Sequence, residues 1–208
     1  MAMTKWLLTA FEPFGGATTN ASREVLSQLP ARLGDLELRT ATLPVAYERV
    51  FDAFLEHFRD EAFAGVLLLG EAKGRRQLSL ERYAHNLKNT LQADNDGRRF
   101  EEAPIRAGGP AAHATPLSLR PLLDALWREG IPAGISHDAG GYVCNTLYYQ
   151  VLDYLQTNEP SIPALFVHVP ATPAQAAGNA AYSSLSTDLA KRGVEVLIQA
   201  MRAQTTAL

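Results

Sequence analysis

One cysteine in 208 residues excludes an intramolecular disulfide framework. It also argues against a zinc site, which would want more sulfur or clustered histidines. A reducing, cytoplasmic setting is the matching expectation. Positive charge is not in excess: 19 Lys and Arg stand against 22 Asp and Glu, a formal net charge of −3. The basic residues are scattered rather than striped, so no nucleic-acid partner is expected. Long hydrophobic runs are missing as well. The patch Trp6–Leu8 is broken by Glu12 and Pro13 before it reaches the length of a secretory core segment. No run approaches a membrane span, so no membrane partner is expected either.

What is present is an ordinary globular composition, 47% hydrophobic and 20% charged, enough for one well-buried α/β domain over residues 1–208. No repeat, low-complexity tract or linker divides it. Lys5–Thr9 reads as a buried strand, and Asn20 offers an N-cap for a short helix through Val25, Leu26 and Leu29. Leu36–Leu43 alternates with period two, and Ala46–Asp60 carries Val50, Phe51, Phe54 and Phe58 at helical spacing. Ala64–Gly70 is a continuous apolar run that suits a strand covered on both faces. Glu71–Ala114 is polar and turn-rich, and reads as a strand or ribbon plus a lid-like loop excursion. Regular alternation resumes with a helix at Leu117–Arg128, a strand at Ile131–Ser136, a helix from Val143, a strand at Ala164–Val169 and a last helix at Ser183–Ala203. The pattern predicts a mainly parallel sheet sandwiched by helices.

The single thiol, Cys144, falls in the stretch AGGYVCN between the Ile131–Ser136 strand and the next helix. Unpaired amides and the positive end of the helix dipole there favour a thiolate and can receive an oxyanion. A packed core thiol beside the Val143, Leu147, Val151 stripe satisfies the same pattern. Among five histidines, His57, His85, His113 and His137 suit a solvated helix face, a ribbon border, a loop and a turn. His168 ends the apolar strand LFVHVP. A histidine there requires a hydrogen-bond partner, and carboxyl ends of strands in open sheets are where ligand sites lie. Cys144 also follows a strand's carboxyl end, so the two are expected to meet at one sheet edge. A third group should orient the imidazole. Glu81, on the Ser79/Glu81/Tyr83 side of LSLERY, fits that role, with Glu12, Glu71 and Asp138 competing and pairing with Arg75 or Arg82 as its structural alternative.

Four segments in order, TAFEPFGG with TTNAS, GEAKGRRQLSLERYAHN with ADNDG, IPAGISHDAGGYVCN and FVHVP, resemble the pyroglutamyl peptidase I family of cysteine peptidases. The likeness covers Thr9 to Pro170. It implies a three-layer α/β/α sandwich with a mixed, mainly parallel central sheet, often assembled as a homo-tetramer, and an enzyme that needs no metal or organic cofactor. By the resemblance Cys144 is the nucleophile, His168 its base and Glu81 the orienting carboxylate. The implied substrates are small peptides with an N-terminal pyroglutamate. Phe11 and Phe14 would sandwich the flat lactam ring, with Glu71 and Tyr142 at the same pocket. Three departures stand out: Glu71 where many relatives carry Gln, Leu91 where many bacterial ones carry Arg, and TTNAS without the proline often found between its Asn and Ser. Two other readings remain beside it, a cysteine amidase related to glutamine amidotransferases and a peptide-binding protein without turnover.

Overall fold

Strand β1 (Thr4–Phe11) opens the part of the chain that this computed structural model describes, residues 4–205. The outermost residues of the expected 1–208 domain lie outside the described residues. Asn20 caps α1 (Ala21–Ser27), its Oδ1 accepting the Ser22 amide at 3.0 Å, as its residue type predicts. β2 (Arg32–Leu33), β3 (Leu36–Leu43), α2 (Val50–Phe58) and β4 (Gly65–Glu71) follow. Helix α2 is shorter than its apolar spacing suggests because residues 47–49 form a turn.

The polar excursion supplies five short strands: β5 (Leu78–Glu81), β6 (Tyr83–His85), β7 (Lys88–Thr90), β8 (Phe100–Ala103) and β9 (Ala112–Ala114). Next come α3 (Leu119–Arg128), β10 (Ala133–Ser136), α4 (Val143–Asn158), β11 (Ala164–Val169), α5 (Pro173–Ala176) and α6 (Thr187–Thr205). Helix α5 escapes periodicity because one turn is too short to show it. A capping box marks it instead, with the Thr172 and Gln175 side chains each bonding the other's backbone amide.

The main sheet has seven strands in the order β10-β5-β11-β4-β1-β3-β2. It is mixed and mostly parallel: β11 and β4, β4 and β1, β1 and β3, and β5 and β10 run together, while β11 and β5, and β2 and β3, oppose each other. Helices cover both faces. Leu67, Leu69, Leu165 and Val167 meet α1, α3 and α6 on one side. Val66, Leu68, Ala164 and Phe166 meet α2 and α4 on the other. The two-residue pleat accounts for that division, and fully buried rings such as Trp6, Phe54 and Phe166 each contribute about 2–3 kcal/mol of burial. β6 pairs with β9 and β7 with β8 as separate two-stranded ribbons. Among the described residues no helix is long and apolar enough to cross a membrane.

One expectation about the sheet is overturned. β10 is parallel to β5, which opposes β11, so β10 and β11 end at opposite edges. The route from β10 to Cys144 therefore does not share an edge with His168. Convergence comes from a common face instead.

Candidate active site

Pleating aims the relevant side chains. Leu78 and Leu80 enter the core facing α3 and α6, so Ser79 and Glu81 turn to the α4 face. His168 follows Phe166 at a spacing of two and joins it there. Since His168 pairs with Ser79 across the antiparallel β5–β11 ladder, Glu81 lies two residues along, the diagonal position that long side chains can span. The result is a 2.8 Å hydrogen bond from His168 Nδ1 to Glu81 Oε1, both side chains being buried. A carboxylate oxygen accepts, so Nδ1 carries the proton and Nε2 keeps a lone pair. Arg75 Nη2 stands 3.5 Å from the same Oε1, and Glu81 Oε2 is buried without a hydrogen-bond partner.

The competing acids are committed elsewhere. Glu12 Oε1 accepts from Val45 N and Asn95 Nδ2, and Asp138 Oδ1 accepts from Gly140 N. Glu71 Oε2 accepts from Ala21 N at 2.7 Å and Gln175 Nε2 at 2.6 Å. It thus ties the end of β4 to the start of α1.

Cys144 is the second residue of α4, whose N-cap Tyr142 makes no side-chain cap bond. Its sulfur overlies the sheet: a methyl group added at Gly70 would come within 3.0 Å of Sγ and 2.7 Å of the Phe166 ring. Gly70 is the β4 partner of His168, so residues in register share a face. Thiol, imidazole and carboxylate therefore occupy one side of the sheet. Cys144 keeps partial exposure, yet the protein around it is dense enough that burial pushes its thiol up to about 12. The Glu81 and Glu71 charges add to that rise, and its own backbone N–H opposes it.

The aromatic residues divide. Phe11 is buried and packs 6.4 Å from Phe166. Phe14 is half-buried, 5.8 Å from the Tyr142 ring. Tyr142 Oη donates to Ala93 O at 2.9 Å, and Asn95 Nδ2 donates to Pro13 O at 3.0 Å. Residues 93–95 thus stitch the Phe11–Phe14 loop to the start of α4. Burial raises Tyr142 to about 12, with the charges of Asp94 and Cys144 contributing. Leu91 lies outside this bridge, 80% exposed.

Three residues carry more than sequence reasoning gave them. Arg75 also donates to Asp138 O at 2.9 Å, joining the turn before α4 to Glu81. Asn145, fully buried, accepts the His85 amide and donates to His85 O and Leu87 O, each at 2.9 Å. This clamp, together with Gly141, where any Cβ would lie 2.4 Å from Asn89 O, presses the β6–β7 segment onto α4. Asn145→Ala removes three hydrogen bonds from partly buried backbone groups and is expected to lower unfolding free energy by about 1–3 kcal/mol. Urea titration checks this, and a change below about 1 kcal/mol would mean that water replaces the side chain. His113, expected in a solvated loop, is instead buried with Nε2 at 2.9 Å from Asp153 Oδ1, its ring 4.6 Å from Tyr149. The short β9 hides it, pairing with β6 across α4.

A groove of about 520 Å³ between α3 and α6, lined by Arg128, Glu129, Arg192 and Glu195 among others, contains none of these site residues.

Comparison with known proteins places this arrangement. A sequence profile described as Pyroglutamyl peptidase matches residues 4–204. Pyrrolidone-carboxylate peptidase 1 of Caldanaerobacter subterraneus subsp. tengcongensis is 35% identical over 202 residues, 95% of this chain and 99% of that protein. The crystal structure of pyrrolidone carboxyl peptidase from Fervidobacterium islandicum superposes with a TM-score of 0.91 at 32% identity, covering 96% of this chain and 99% of that one. That of pyroglutamyl peptidase I from Bacillus amyloliquefaciens gives 0.90 at 32%, over 96% and 95%.

Proposed function

Since the chain belongs to the pyroglutamyl peptidase family and is a cysteine peptidase, we propose that Cys144, His168 and Glu81 form its catalytic triad. In this reading they release N-terminal pyroglutamate from small peptides. The observation that carries the reading is the His168–Glu81 hydrogen bond of 2.8 Å on the sheet face over which the Cys144 sulfur lies.

Burial and the charges of two carboxylates disfavour the thiolate in the free enzyme. Ionisation is therefore coupled to attack. His168 Nε2 takes the Sγ proton as sulfur bonds to the carbonyl carbon joining pyroglutamate to the next residue. Glu81 fixes the Nδ1–H tautomer and stabilises the imidazolium. Amides at the uncapped start of α4, including that of Cys144, receive the oxyanion. On collapse, His168 protonates the departing amine and a pyroglutamyl thioester remains. Water then gives its proton to Nε2, adds to the thioester and releases pyroglutamate, returning hydrogen to sulfur. Each step balances within the peptide, water and the two side chains.

Phe14 and Tyr142 supply the aromatic rim for the uncharged lactam, with Phe11 behind them. Glu71 acts from below by anchoring the start of α1. Purified enzyme under reducing conditions should hydrolyse a chromogenic pyroglutamyl amide and leave the corresponding glutaminyl amide essentially untouched. Glutaminyl cleavage at a comparable kcat/KM would make it an amidase of another kind. Stoichiometric alkylation of Cys144 without any turnover would make it a binding protein.

A further inference from the structure

The charges of two carboxylates with fully buried side chains, Glu71 and Glu81, oppose the ionisation of Cys144, and each carboxylate lies beside one cation. Lys73 Nζ is 3.4 Å from Glu71 Oε1, and Arg75 Nη2 is 3.5 Å from Glu81 Oε1. Both cations come from the short loop between β4 and β5, and Lys73 and Arg75 keep 26% and 37% of their side chains in solvent. They therefore bring positive charge to the edge of the site at little desolvation cost while the negative charge lies inside. Geometry holds each in place. Arg75 is pinned by Asp138 O, and Lys73 Nζ stands 5.6 Å from the Phe14 ring and 5.8 Å from that of Tyr182.

We propose that Lys73 and Arg75 are positioning residues that set the reactivity of Cys144 by offsetting the buried charges of Glu71 and Glu81. The inference rests on the reading of Cys144 as nucleophile. It adds a control that neither the triad nor the ring pocket contains. On the sulfur's side of the sheet stand Glu81 from β5, His168 from β11, and Tyr47 and Tyr142, whose own ionisation the thiolate would oppose, while Glu71 at the end of β4 acts electrostatically from the α1 side. Tyr47 and Tyr142 are neutral at physiological pH and add no charge to this balance. Beyond burial itself, the charges that act on the sulfur are those of the two carboxylates, and the loop cations reach it by neutralising them, because a charge a few ångströms away in a partly dehydrated site acts far more strongly than in bulk water.

Alkylation reads this directly, because iodoacetamide consumes the ionised thiol whether or not a peptide is turned over. The second-order rate at Cys144, followed by intact mass against pH, should fall about three- to tenfold at pH 7 in Lys73→Met and in Arg75→Met. Arg75→Lys, which keeps the charge, should stay within about twofold of the unmodified protein. Glu71→Gln should speed alkylation, and Lys73→Met combined with Glu71→Gln should return it to within about twofold, because opposite charges at one place cancel. A methionine variant that reacts at the original rate would overturn the proposal. So would a double variant as slow as Lys73→Met alone, which would make Lys73 a packing residue. If Lys73→Met fails to fold, the acceleration in Glu71→Gln and the rescue in Arg75→Lys still decide. Hydrolysis of a pyroglutamyl amide by the unmodified protein is measured separately, so loss of the peptidase reading and loss of this one cannot be confused.

Discussion

Cys144→Ser is expected to lose at least about a thousandfold in kcat/KM on a pyroglutamyl amide while folding normally. A serine hydroxyl fits where the thiol stands, so the packing against Phe166 and Gly70 is kept. The nucleophile is not. Sulfur in this site holds its proton more firmly than an ordinary thiol, and an alcohol starts from a far higher pKa still, so His168 would face a much steeper proton transfer. Steady-state assays paired with thermal unfolding check the result. Activity within tenfold of the unmodified enzyme would remove Cys144 from the nucleophile role. A drop caused by misfolding would show as a lowered melting temperature, which the serine should not produce.

Glu81→Gln should cost about a hundred- to ten-thousandfold in kcat, with KM changed little. The amide has the carboxylate's shape, and the Tyr148 Oη contact is to the Glu81 backbone oxygen, so it survives. Two orientations are open to the new side chain. If its NH2 faces His168, Nδ1 becomes the acceptor and the proton moves to Nε2, which can then no longer take one from sulfur. If its oxygen faces His168 the tautomer is kept, but the charge that steadies the imidazolium is gone. Either way the step that needs a proton acceptor slows, whereas Phe14 and Tyr142, the rim proposed for the lactam, are untouched. An unchanged kcat would assign His168's orientation to something other than this carboxylate.

Much of this architecture is legible in the residues. Alternating apolar runs announce β1, β3, β4, β10 and β11, and Asn20 announces the start of α1. The period-two reading of LSLE even assigns Glu81 its face, and the solitary thiol at a strand-to-helix junction points to α4. Strand direction is another matter. Nothing local to LSLE says that β5 lies beyond β11 and opposes it, because the partner that decides this is far along the chain. For the same reason the burial of His113 is silent in sequence, its hydrogen-bond partner Asp153 being 40 residues away. Arg75 shows only as a charge in a polar loop until Glu81 and Asp138 are brought beside it. Asn145 is likewise inconspicuous next to Cys144, although three backbone groups depend on it. Long-range pairing decides all of these, and periodicity carries none of it.

The insertion of β11 between β4 and β5 has a consequence for biogenesis. On the ribosome both flanking strands emerge well before the one that lies between them, since Glu81 and His168 are 87 residues apart. Until that late strand arrives, the unfinished sheet has two raw borders in its middle, the kind of surface on which neighbouring nascent chains catch. The same event that seals the borders delivers the imidazole. On the proposed triad, a partly synthesised chain is proteolytically silent, and its ability to cut arrives together with its protection from aggregation.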